Sequence, residues 1–446
     1  MSKGVGILSY YDTLLQRIEN KDATVAVIGL GYVGLPLAIE FAKKGFQVYG
    51  YDISEYKINL LKRGESYIQD VNSSEIGSLD GRFVPISESN ILLEADIISI
   101  CVPTPLTKYQ QPDLTYIVSA IDNIKTHFKP GKLVILESTT YPGTTEEVIL
   151  KEFTDMGYKV GEDFFLCFSP ERVDPGNSKF NTKNTPKVVG GVTDRCNTLG
   201  GKYYGSIIND IVSVSSPKVA EMTKLMENTF RSINISFVNE MAIMCDKLGI
   251  DIWEVIEAAK SKPFGFMPFY PGPGIGGHCI PLDPMYLSWK AKGYNFFSRF
   301  IELAQDINKH MPEYVIQRLM HALNKVGKPL HNSKVLILGM SYKPNIDDLR
   351  ESPGLELFEL LRQNGAEVFF NDPYVTSFKD TDGSDVFSIE LNYSDLANFD
   401  CILLATNHSF YNYEEIYRNS SLIFDTRNGF KNIHDSTKIV KLGGGN

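Results

Sequence analysis

The sequence predicts an α/β protein in which two Rossmann-like, doubly wound domains are joined by a long central helix and a helical dimerisation region. Near the N-terminus, a glycine-rich turn separates a short apolar strand from a helix, and a weaker copy of this pattern recurs in the last third of the chain. Between the copies, residues 217–248 contain no glycine and no proline after Pro217. A chain of 446 residues also exceeds what one hydrophobic core usually holds, so several domains are expected.

The first domain, predicted at residues 20–213, opens with strand, turn, helix and strand. A β-branched run at 24–28 leads into the turn GLGYVG, and after a helix-compatible segment a second strand at 47–51 ends at Asp52. Further apolar strands, separated by helix-compatible segments, follow at 97–102, 133–136 and 164–168. This alternation predicts a parallel sheet with helices on both faces.

The turn GLGYVG contains the spacing GxGxxG through Gly29, Gly31 and Gly34. Glycines in a buried turn are often purely structural, and the spacing alone occurs by chance. Here it follows a strand, opens a helix and precedes Asp52 at the end of the next strand, as dinucleotide binding requires. The backbone N–H groups of a helix start suit a pyrophosphate, and a carboxylate suits a free ribose 2′-hydroxyl but repels a 2′-phosphate. The pattern therefore predicts NAD in preference to NADP.

The central region is predicted at residues 214–325 and begins with an unusually long helix. Ser216 can cap this helix, Pro217 can start it, and the helical pattern continues to Leu248. A helix of this length suits a connection between two domains and offers an apolar stripe to a partner subunit.

The last domain, predicted at residues 326–446, repeats the opening pattern in a weaker form. A strand at 334–338 meets Gly339, and a later strand ends at Asp372. A polar insertion at 341–351 separates the turn from the next helix. This domain is therefore predicted to be Rossmann-like but to bind another nucleotide ligand.

A Pro- and Gly-rich loop at residues 263–284 contains the main candidate nucleophile, Cys279. A lone cysteine is more often an inert buried residue. This one stands where little side-chain bulk blocks a substrate, beside His278 and four residues before Asp283. A cysteine together with NAD can oxidise an aldehyde through a thiohemiacetal and a thioester, whereas the role of His278 stays open between structural and basic.

Four further residues are candidates for the chemistry. Lys224 and Asn228 are one turn apart on the predicted long helix, where they form either a solvated face or a cation and amide pair that stabilises an oxyanion. Thr139 and Glu171 lie just beyond predicted strands. The carboxyl ends of strands in an open sheet are where ligands bind.

Composition excludes several classes of function. A formal net charge of −10 disfavours sequence-independent binding to nucleic acid. The six cysteines show no CxxC spacing, so neither a metal site nor a disulfide framework is predicted. The N-terminus lacks a signal-peptide pattern, and the uncharged stretch 23–39 is too short and too rich in glycine for a membrane span. We expect a cytoplasmic protein that does not associate with membranes.

Six segments, in order along nearly the whole chain, resemble the UDP-glucose/GDP-mannose dehydrogenase family. The segments are GLGYVGLPLA, ESTTYPGTT, FSPERVDPGN, AEMTKLMENTFRSINISFVNE, PGPGIGGHCIPLDP and SYKPNIDDLRESPG. The resemblance implies an N-terminal NAD domain, a central helical region that forms a homodimer, and a C-terminal domain that binds a UDP-sugar. It further implies oxidation of the C6 hydroxymethyl group of that sugar to a carboxylate.

The resemblance also implies roles for individual residues. Cys279 would be the nucleophile, Lys224 and Asn228 would stabilise oxyanions, Asp283 would assist acid–base steps, and Thr139 with Glu171 would position and activate the hydrolytic water. The residues implied at the cofactor are Gly29, Gly31, Val33, Gly34, Asp52, Lys57, Thr104, Thr139 and Arg350. Those implied at the UDP-sugar are Glu171, Lys224, Asn228, Tyr270, Gly272, Gly276 and Lys343.

The segments KPFGFMPFYPGPGIGGHCIPLDP and ESTTYPGTT most resemble the corresponding segments of family members that oxidise UDP-N-acetylglucosamine for surface polysaccharides. UDP-N-acetylgalactosamine, UDP-N-acetylmannosamine and UDP-glucose remain alternative substrates. Arg172 follows Ser-Pro-Glu here and His278 precedes the cysteine, and both differ from the UDP-glucose members. Other hypotheses are a simple two-electron dehydrogenase, an NAD-dependent epimerase and a non-catalytic nucleotide-sugar sensor.

Overall fold

The computed structural model describes residues 8–68, 70–172, 180, 182–277, 279–435 and 437–445. The chain divides into two compact units. The first comprises Met1–Glu227 with Met285–Asn295, and the second comprises Asn228–Pro284 with Phe296–Asn446. The boundaries 20–213, 214–325 and 326–446 stay a prediction from the sequence.

The first unit is built on a sheet in which eight strands are described, ordered β3-β2-β1-β4-β5-β6-β7-β8. Apolar and β-branched runs form the central strands, which are buried on both faces because helices cover both sides of the sheet. The strands are β1 (Thr24–Ile28), β2 (Gln47–Tyr51), β3 (Phe83–Ile86), β4 (Ile97–Ile100), β5 (Leu133–Leu136), β6 (Phe165–Phe168), β7 (Lys187–Gly191) and β8 (Ile211–Val214).

Two hydrophobic clusters pack against this sheet, one including Phe41 and Tyr203 and the other including Phe153 and Phe164. Short helical turns occur at Ser89–Leu93 and Thr145–Leu150. The helices are α1 (Tyr10–Asn20), α2 (Gly34–Lys43), α3 (Glu55–Lys62), α4 (Ser73–Gly77), α5 (Thr115–Thr126), α6 (Lys151–Asp155) and α7 (Asp194–Gly205).

The predicted parallel arrangement holds for β1 to β6, and the sheet continues with two strands, β7 and β8, that were not predicted from the sequence. Strand β7 pairs antiparallel with β6, with Phe168 opposite Gly190, and β8 runs parallel to β7. The consequence is that the N-terminal end of β7 lies at the carboxyl edge of β1 to β6.

The long helix α8 (Pro217–Leu248) begins and ends where the sequence predicts. Its first residues belong to the first unit and the rest to the second. Four further helices follow along the chain, and most of the second of them belongs to the first unit. They are α9 (Ile252–Lys260), α10 (Asp283–Lys292), α11 (Arg299–Lys325) and α12 (Pro353–Gln363).

The second unit contains a parallel sheet of five described strands, ordered β10-β9-β13-β14-β15, and a small hairpin. Leu319 and Phe370 belong to the core on one face of this sheet, and Leu404 and Ile416 to the core on the other. The remaining elements are β9 (Lys334–Leu338), β10 (Glu367–Asn371), β11 (Ser377–Lys379), β12 (Asp385–Phe387), a helical turn (Tyr393–Asn398), β13 (Cys401–Leu404), α13 (Tyr413–Asn419), β14 (Ile423–Asp425) and β15 (Ile439–Lys441). The predicted α/β class with two Rossmann-like units is confirmed.

Candidate active site

The glycine turn after β1 is open at only one of its three motif glycines. A Cβ on Gly29 (φ 90°) would lie 2.7 Å from the carbonyl oxygen of Cys101, and a Cβ on Gly34 would lie 1.9 Å from the carbonyl oxygen of Gly29. A Cβ on Gly31 would meet no described atom within 4 Å. Internal packing therefore explains the first and third glycines, whereas Gly31 leaves the backbone open to a phosphate group.

Asp52 lies at the end of β2 and faces this turn. Its Oδ2 accepts a hydrogen bond from Leu30 N (2.9 Å) and lies 3.2 Å from Lys57 Nζ, while its Oδ1 accepts from Ser54 N (2.9 Å). Ser54 also caps α3, which carries Lys57. The carboxylate is thus fixed beside the glycine turn, and these residues fit a dinucleotide with a free ribose 2′-hydroxyl.

Three other residues predicted to bind the cofactor also lie in connections that follow strands of the first sheet. Val33 precedes α2, Thr104 follows β4, and Thr139 follows β5. The carbonyl oxygen of Thr104 accepts a hydrogen bond from the Tyr286 hydroxyl. All three belong to connections that follow β1, β4 and β5, at the edge of the sheet where ligands of this fold bind.

Glu171 follows β6 at the same edge, with 16% of its side chain exposed. Its Oε1 accepts a hydrogen bond from Arg172 N (2.8 Å), and its Oε2 lies 3.7 Å from Lys187 Nζ. The Arg172 guanidinium pairs with Glu227 (2.7 Å). The acidic residue Asp174, which follows in the sequence, lies outside the described residues.

Lys224 and Asn228 lie one turn apart on α8, and both are buried. A solvated helix face, the alternative left open by the sequence, does not fit this burial. Asn228 Nδ2 donates a hydrogen bond to Asp283 Oδ2 (2.5 Å). The ammonium of Lys224 has no hydrogen bond or ion pair among the described residues, and a buried cation in this state suits an anionic ligand.

Cys279 differs from the other cysteines in exposure. All six lie in the described part of the chain, and Cys279 is partly exposed whereas the other five are buried. Its carbonyl oxygen accepts hydrogen bonds from Leu282 N (3.2 Å) and Asp283 N (2.8 Å), which forms a turn leading into α10. Asp283, bonded to Asn228, is therefore tied to the same turn as Cys279. His278 lies outside the described residues.

The glycines of the loop before Cys279 are required by close packing within the second unit. Gly272 N donates to Asn239 Oδ1 (2.9 Å), and a Cβ on Gly272 would lie 2.4 Å from Arg427 Nη1. A Cβ on Gly276 would lie 2.5 Å from Tyr342 Cβ. Because Tyr342 belongs to the polar insertion, this insertion packs directly against the glycine loop.

Three remaining predicted ligand residues make contacts with the protein itself. The Tyr270 hydroxyl donates to Glu257 Oε1 (2.7 Å). The Arg350 guanidinium pairs with Asp348 (2.6 Å), and the carbonyl oxygen of Lys343 accepts from Ser341 Oγ (2.9 Å). These contacts leave the predicted ligand roles of Tyr270, Lys343 and Arg350 as expectations.

Asp372, the acidic residue that follows β10 in the second unit, is buried and bonded to other groups of the protein. Asp372 Oδ2 accepts from Met340 N (2.7 Å) and Ser341 N (3.1 Å) and lies 3.0 Å from His408 Nε2. His408 Nδ1 accepts from Asn345 N (2.9 Å), which places the imidazole proton on Nε2. Burial raises the pKa of Asp372, but the bond from His408 and the backbone bonds lower it further, so the net pKa lies below its usual value. Asp372 is thus unsuited to the ribose-binding role that Asp52 fits.

Three consecutive segments of the chain match one family. Residues 23–208 match the NAD binding domain of the UDP-glucose/GDP-mannose dehydrogenase family, residues 218–310 its central domain and residues 336–432 its UDP binding domain. The chain belongs to this family. It is an NAD-dependent UDP-sugar dehydrogenase.

The relatives of the enzyme are named after different UDP-sugar substrates. A UDP-N-acetyl-D-glucosamine 6-dehydrogenase of Pseudomonas aeruginosa is 38% identical over 361 residues, which cover 80% of this chain and 84% of the relative. A UDP-N-acetyl-D-mannosamine dehydrogenase of Methanococcus maripaludis (strain C7) is 33% identical over 420 residues, which cover 91% and 92%. The solved structure of a UDP-D-ManNAc dehydrogenase from Pyrococcus horikoshii has a TM-score of 0.86 at 33% identity and covers 95% of this chain and 99% of that one.

The enzyme also contains charged and polar residues at the site that sequence reasoning missed. Glu137 and Lys187 form a buried ion pair near Glu171, and Glu221 on α8 accepts hydrogen bonds from the 143–145 turn. Thr140 is buried, and its Oγ1 has no hydrogen-bond partner among the described residues. Of these residues, Glu137 alone lies directly after a predicted strand, and that position is the one signal in the sequence that could have indicated it.

No helix within the described residues is long and apolar enough to cross a membrane. In the same part of the chain, no group of three or more His, Cys, Asp or Glu residues is arranged to hold a metal ion.

Proposed function

We propose that the enzyme oxidises the C6 hydroxymethyl group of UDP-N-acetyl-D-glucosamine to a carboxylate, through a thioester on Cys279. The observation that carries this proposal is the exposure of Cys279 alone among the six cysteines, in a turn tied to Asp283 and Asn228. A nucleophilic thiol must be reachable by substrate, and an acid–base group must lie nearby.

The proposed chemistry has two oxidations and one hydrolysis. NAD, when bound, accepts one hydride in each oxidation. After the first, the sulfur of Cys279 adds to the C6 aldehyde and forms a thiohemiacetal, which loses a hydride from C6 and a proton from its hydroxyl to become a thioester. Water then adds to the acyl carbon, the carbon–sulfur bond breaks, and the carboxylic acid and the thiol of Cys279 are released.

Each step forms negative charge on the same oxygen of the substrate. The buried ammonium of Lys224 and the amide of Asn228 would stabilise this oxyanion in every step. Asp283 would move protons at the substrate hydroxyl and the thiol. Thr139 and Glu171 would hold and activate the water, which is supported by their position after β5 and β6.

The open backbone at Gly31 and the fixed carboxylate of Asp52 support the proposed cofactor site. The residues that would hold NAD are Gly29, Gly31, Val33, Gly34, Asp52, Lys57, Thr104, Thr139 and Arg350. The glycine loop packed on the polar insertion supports the UDP-sugar site. Its proposed residues are Glu171, Lys224, Asn228, Tyr270, Gly272, Gly276 and Lys343.

The choice of UDP-N-acetylglucosamine as substrate is supported by the amino-acid sequence of the glycine loop and by relatives that are named after this sugar. The proposed product would then serve the synthesis of a surface polysaccharide such as O-antigen. UDP-N-acetylmannosamine is the second candidate, because relatives and a solved neighbour carry that name at similar identity. The two sugars differ in the orientation of one acetamido group. Hydrogen-bonding sites can discriminate such groups strongly.

A panel of substrates tests the proposal. Purified enzyme is assayed for NADH formation with UDP-N-acetylglucosamine, its galacto and manno epimers, and UDP-glucose. We expect the highest kcat/KM with UDP-N-acetylglucosamine. A higher kcat/KM with the manno epimer would transfer the proposal to that substrate, and no NADH with any of the four sugars would contradict it.

A homodimer through the central helix completes the proposal. Helix α8 carries exposed apolar side chains at spacings that keep them on one stripe, a surface that a second copy of the chain would cover. These residues are Met222, Met226, Phe230, Phe237, Met244 and Leu248.

A further inference from the structure

The polar insertion at residues 341–351 is held at its start by the turn that follows β13. Thr406 Oγ1 donates a hydrogen bond to the carbonyl oxygen of Ser341 (2.6 Å). Ser341 Oγ in turn donates to the carbonyl oxygen of Lys343 (2.9 Å). Both Thr406 and Ser341 are buried. The backbone on the N-terminal side of Lys343 is therefore tied to the second sheet.

The same turn also holds the insertion on the C-terminal side of Lys343. Asn345 N donates to His408 Nδ1 (2.9 Å), and Asn345 Oδ1 accepts from Ser409 N (2.9 Å) and Ser409 Oγ (3.0 Å). Asn345 has a φ of 63°, in the left-handed region that asparagine adopts more readily than most other residues. Contacts from residues 408 and 409 thus hold the insertion in one particular backbone conformation.

His408 connects this insertion to the acidic residue at the end of β10. Its Nε2 donates to Asp372 Oδ2 (3.0 Å), and neither side chain has any exposed surface. Asp372 Oδ1 accepts from Tyr374 N (2.8 Å) and Val375 N (3.1 Å). Because a neutral imidazole has one donor and one acceptor nitrogen, the ring serves Asp372 with the first and Asn345 with the second.

The acid after the second strand therefore has different tasks in the two Rossmann-like units. In the first unit, Asp52 fits the ribose of a dinucleotide. In the second unit, Asp372 Oδ2 accepts from the backbone N–H groups of Met340 and Ser341 as well as from His408. The acid of the second unit thus supports the start of the insertion and the histidine that holds the rest of it.

We infer that His408 is a positioning residue that holds the polar insertion in the conformation that binds the uridine diphosphate of the substrate. This inference rests on the proposed function, in which Lys343 binds the UDP-sugar. Lys343 lies between the two tied positions, Ser341 and Asn345, so its main chain cannot shift without breaking one of these contacts. A site that is ordered before the ligand arrives loses less conformational entropy on binding. His408 acts through Asn345 and need not touch the ligand.

Two amide substitutions separate the two hydrogen bonds of the imidazole. An asparagine amide is short and can place its oxygen near the position of Nδ1, whereas a glutamine amide reaches the position of Nε2. His408→Asn should therefore keep the bond from Asn345 N and lose the bond to Asp372. His408→Gln should keep the bond to Asp372 and lose the bond from Asn345 N.

The two variants should change UDP affinity and stability in opposite orders. UDP and NAD binding are measured by calorimetry, and stability by thermal unfolding, all with the full-length enzyme. We expect His408→Gln to weaken UDP binding about tenfold and to raise the KM for the UDP-sugar by a similar factor. The kcat at saturating sugar and the affinity for NAD should change by less than about threefold.

His408→Asn should bind UDP within about threefold of the wild type, because it keeps the contact with the insertion. It should nevertheless unfold at a lower temperature than His408→Gln, because it leaves the buried carboxylate of Asp372 with one hydrogen bond fewer. A histidine with a purely structural role would instead give the lower affinity in the less stable variant.

Tyr314→Phe is the matched control. Tyr314 lies on α11 in the second unit, and its hydroxyl donates to Asp246 Oδ2 (2.8 Å), in a side chain that is 2% exposed. This variant also removes one hydrogen bond to a buried carboxylate, but it leaves the contacts of the insertion in place. It should lower the unfolding temperature and leave the affinity for UDP unchanged.

Asn345→Gly gives a second test that does not depend on the folding of the histidine variants. Asn345 is exposed, and glycine accepts its positive φ, so the variant removes the contacts with Ser409 without backbone strain. It should weaken UDP binding in the same direction as His408→Gln. Unchanged UDP affinity in Asn345→Gly would contradict the inference.

Lys343→Ala separates the inference from the proposed function. If both residues act on one ligand contact, the losses of UDP affinity in Lys343→Ala and His408→Gln should be less than additive in the double variant. No loss in His408→Gln, or an equal loss in His408→Asn, would overturn the inference while a weakened Lys343→Ala leaves the proposed function in place. Unchanged UDP affinity in Lys343→Ala would remove the proposed role of Lys343 and the inference with it.

Discussion

At the scale of single residues, Cys279 is the proposed nucleophile and should be the least replaceable thiol. A serine hydroxyl is a far weaker nucleophile at neutral pH, so Cys279→Ser should lower kcat by about 100-fold or more while UDP-sugar binding changes by less than about threefold. Turnover is followed by NADH absorbance and binding by calorimetry. Cys245→Ser, at a cysteine of α8 far along the sequence from the loop, is the control and should retain activity. Loss of sugar binding in Cys279→Ser would indicate a structural cysteine instead.

The three motif glycines should respond differently to the same substitution. Gly31→Ala meets open space, so folding stability should change by less than about 1 kcal/mol, while the KM for NAD rises because the new methyl group occupies the approach to the pyrophosphate. Gly34→Ala places a Cβ 1.9 Å from the carbonyl oxygen of Gly29 and should destabilise the first unit. Thermal unfolding and NAD titration of both variants distinguish these effects. An unchanged KM in Gly31→Ala would contradict the proposed cofactor site.

Residues with rare chemistry in a distinctive setting could be proposed from the sequence as site residues, and charged residues in ordinary settings could not. GxGxxG before a helix and a cysteine in a glycine loop are unusual patterns. Lys187 and Glu137 are common residue types, and their pairing across 50 positions depends on strand order and direction. No local pattern in the sequence contains that information.

At the scale of elements, the ends of β10 and β13 are joined by a buried pair whose contribution should depend on pH. Removing His408 takes one hydrogen bond away from the buried carboxylate of Asp372, so His408→Ala should cost about 2–3 kcal/mol near neutral pH. Because folding lowers the pKa of Asp372, its ionised carboxylate stabilises the fold at pH values above the ordinary pKa of 3.8. This stabilisation is lost as the pH falls through the lower pKa of the folded state. The difference between wild type and variant should therefore shrink on acidification towards that range.

Urea unfolding at several pH values measures this difference. His310→Ala is the control, because His310 is exposed on α11 and pairs only with Asp306 one turn away. Its effect should stay within about 0.5 kcal/mol. A His408→Ala cost that does not vary with pH would mean that the histidine acts through packing alone.

Helices and strands could be predicted where the spacing of apolar residues and the residues that start or end an element indicated the same bounds. The helix Pro217–Leu248 has a proline at its start and an unbroken pattern, and its bounds are as predicted. Strands β7 and β8 were not predicted, and the antiparallel direction of β7 could not be, because an apolar strand reads the same in either direction.

At the scale of the whole molecule, the exposed stripe of α8 should control the oligomeric state. Phe237 is 53% exposed near the middle of the stripe, and a charge placed there would be buried without a partner in the proposed homodimer. Phe237→Glu should therefore shift the enzyme to a monomer in analytical ultracentrifugation. Phe387→Glu, at a 68% exposed phenylalanine of the small hairpin, is the matched control and should remain dimeric. Dimers of unchanged strength in Phe237→Glu would exclude this stripe as the interface.

The α/β class and the pair of Rossmann-like units could be predicted because the strand–turn–helix pattern appears twice in the sequence. The family could be predicted because six distinctive segments occur in order. The sugar could not, because epimers are distinguished by a few hydrogen bonds from loop residues whose positions depend on the folded chain.

The measurement that tests the central claim most directly is the number of NADH molecules formed per UDP-sugar consumed by the purified enzyme. Oxidation through a Cys279 thioester predicts two NADH for each uronic acid, with no aldehyde released. One NADH per sugar, with free aldehyde in solution, would contradict the thioester and indicate a simple two-electron dehydrogenase.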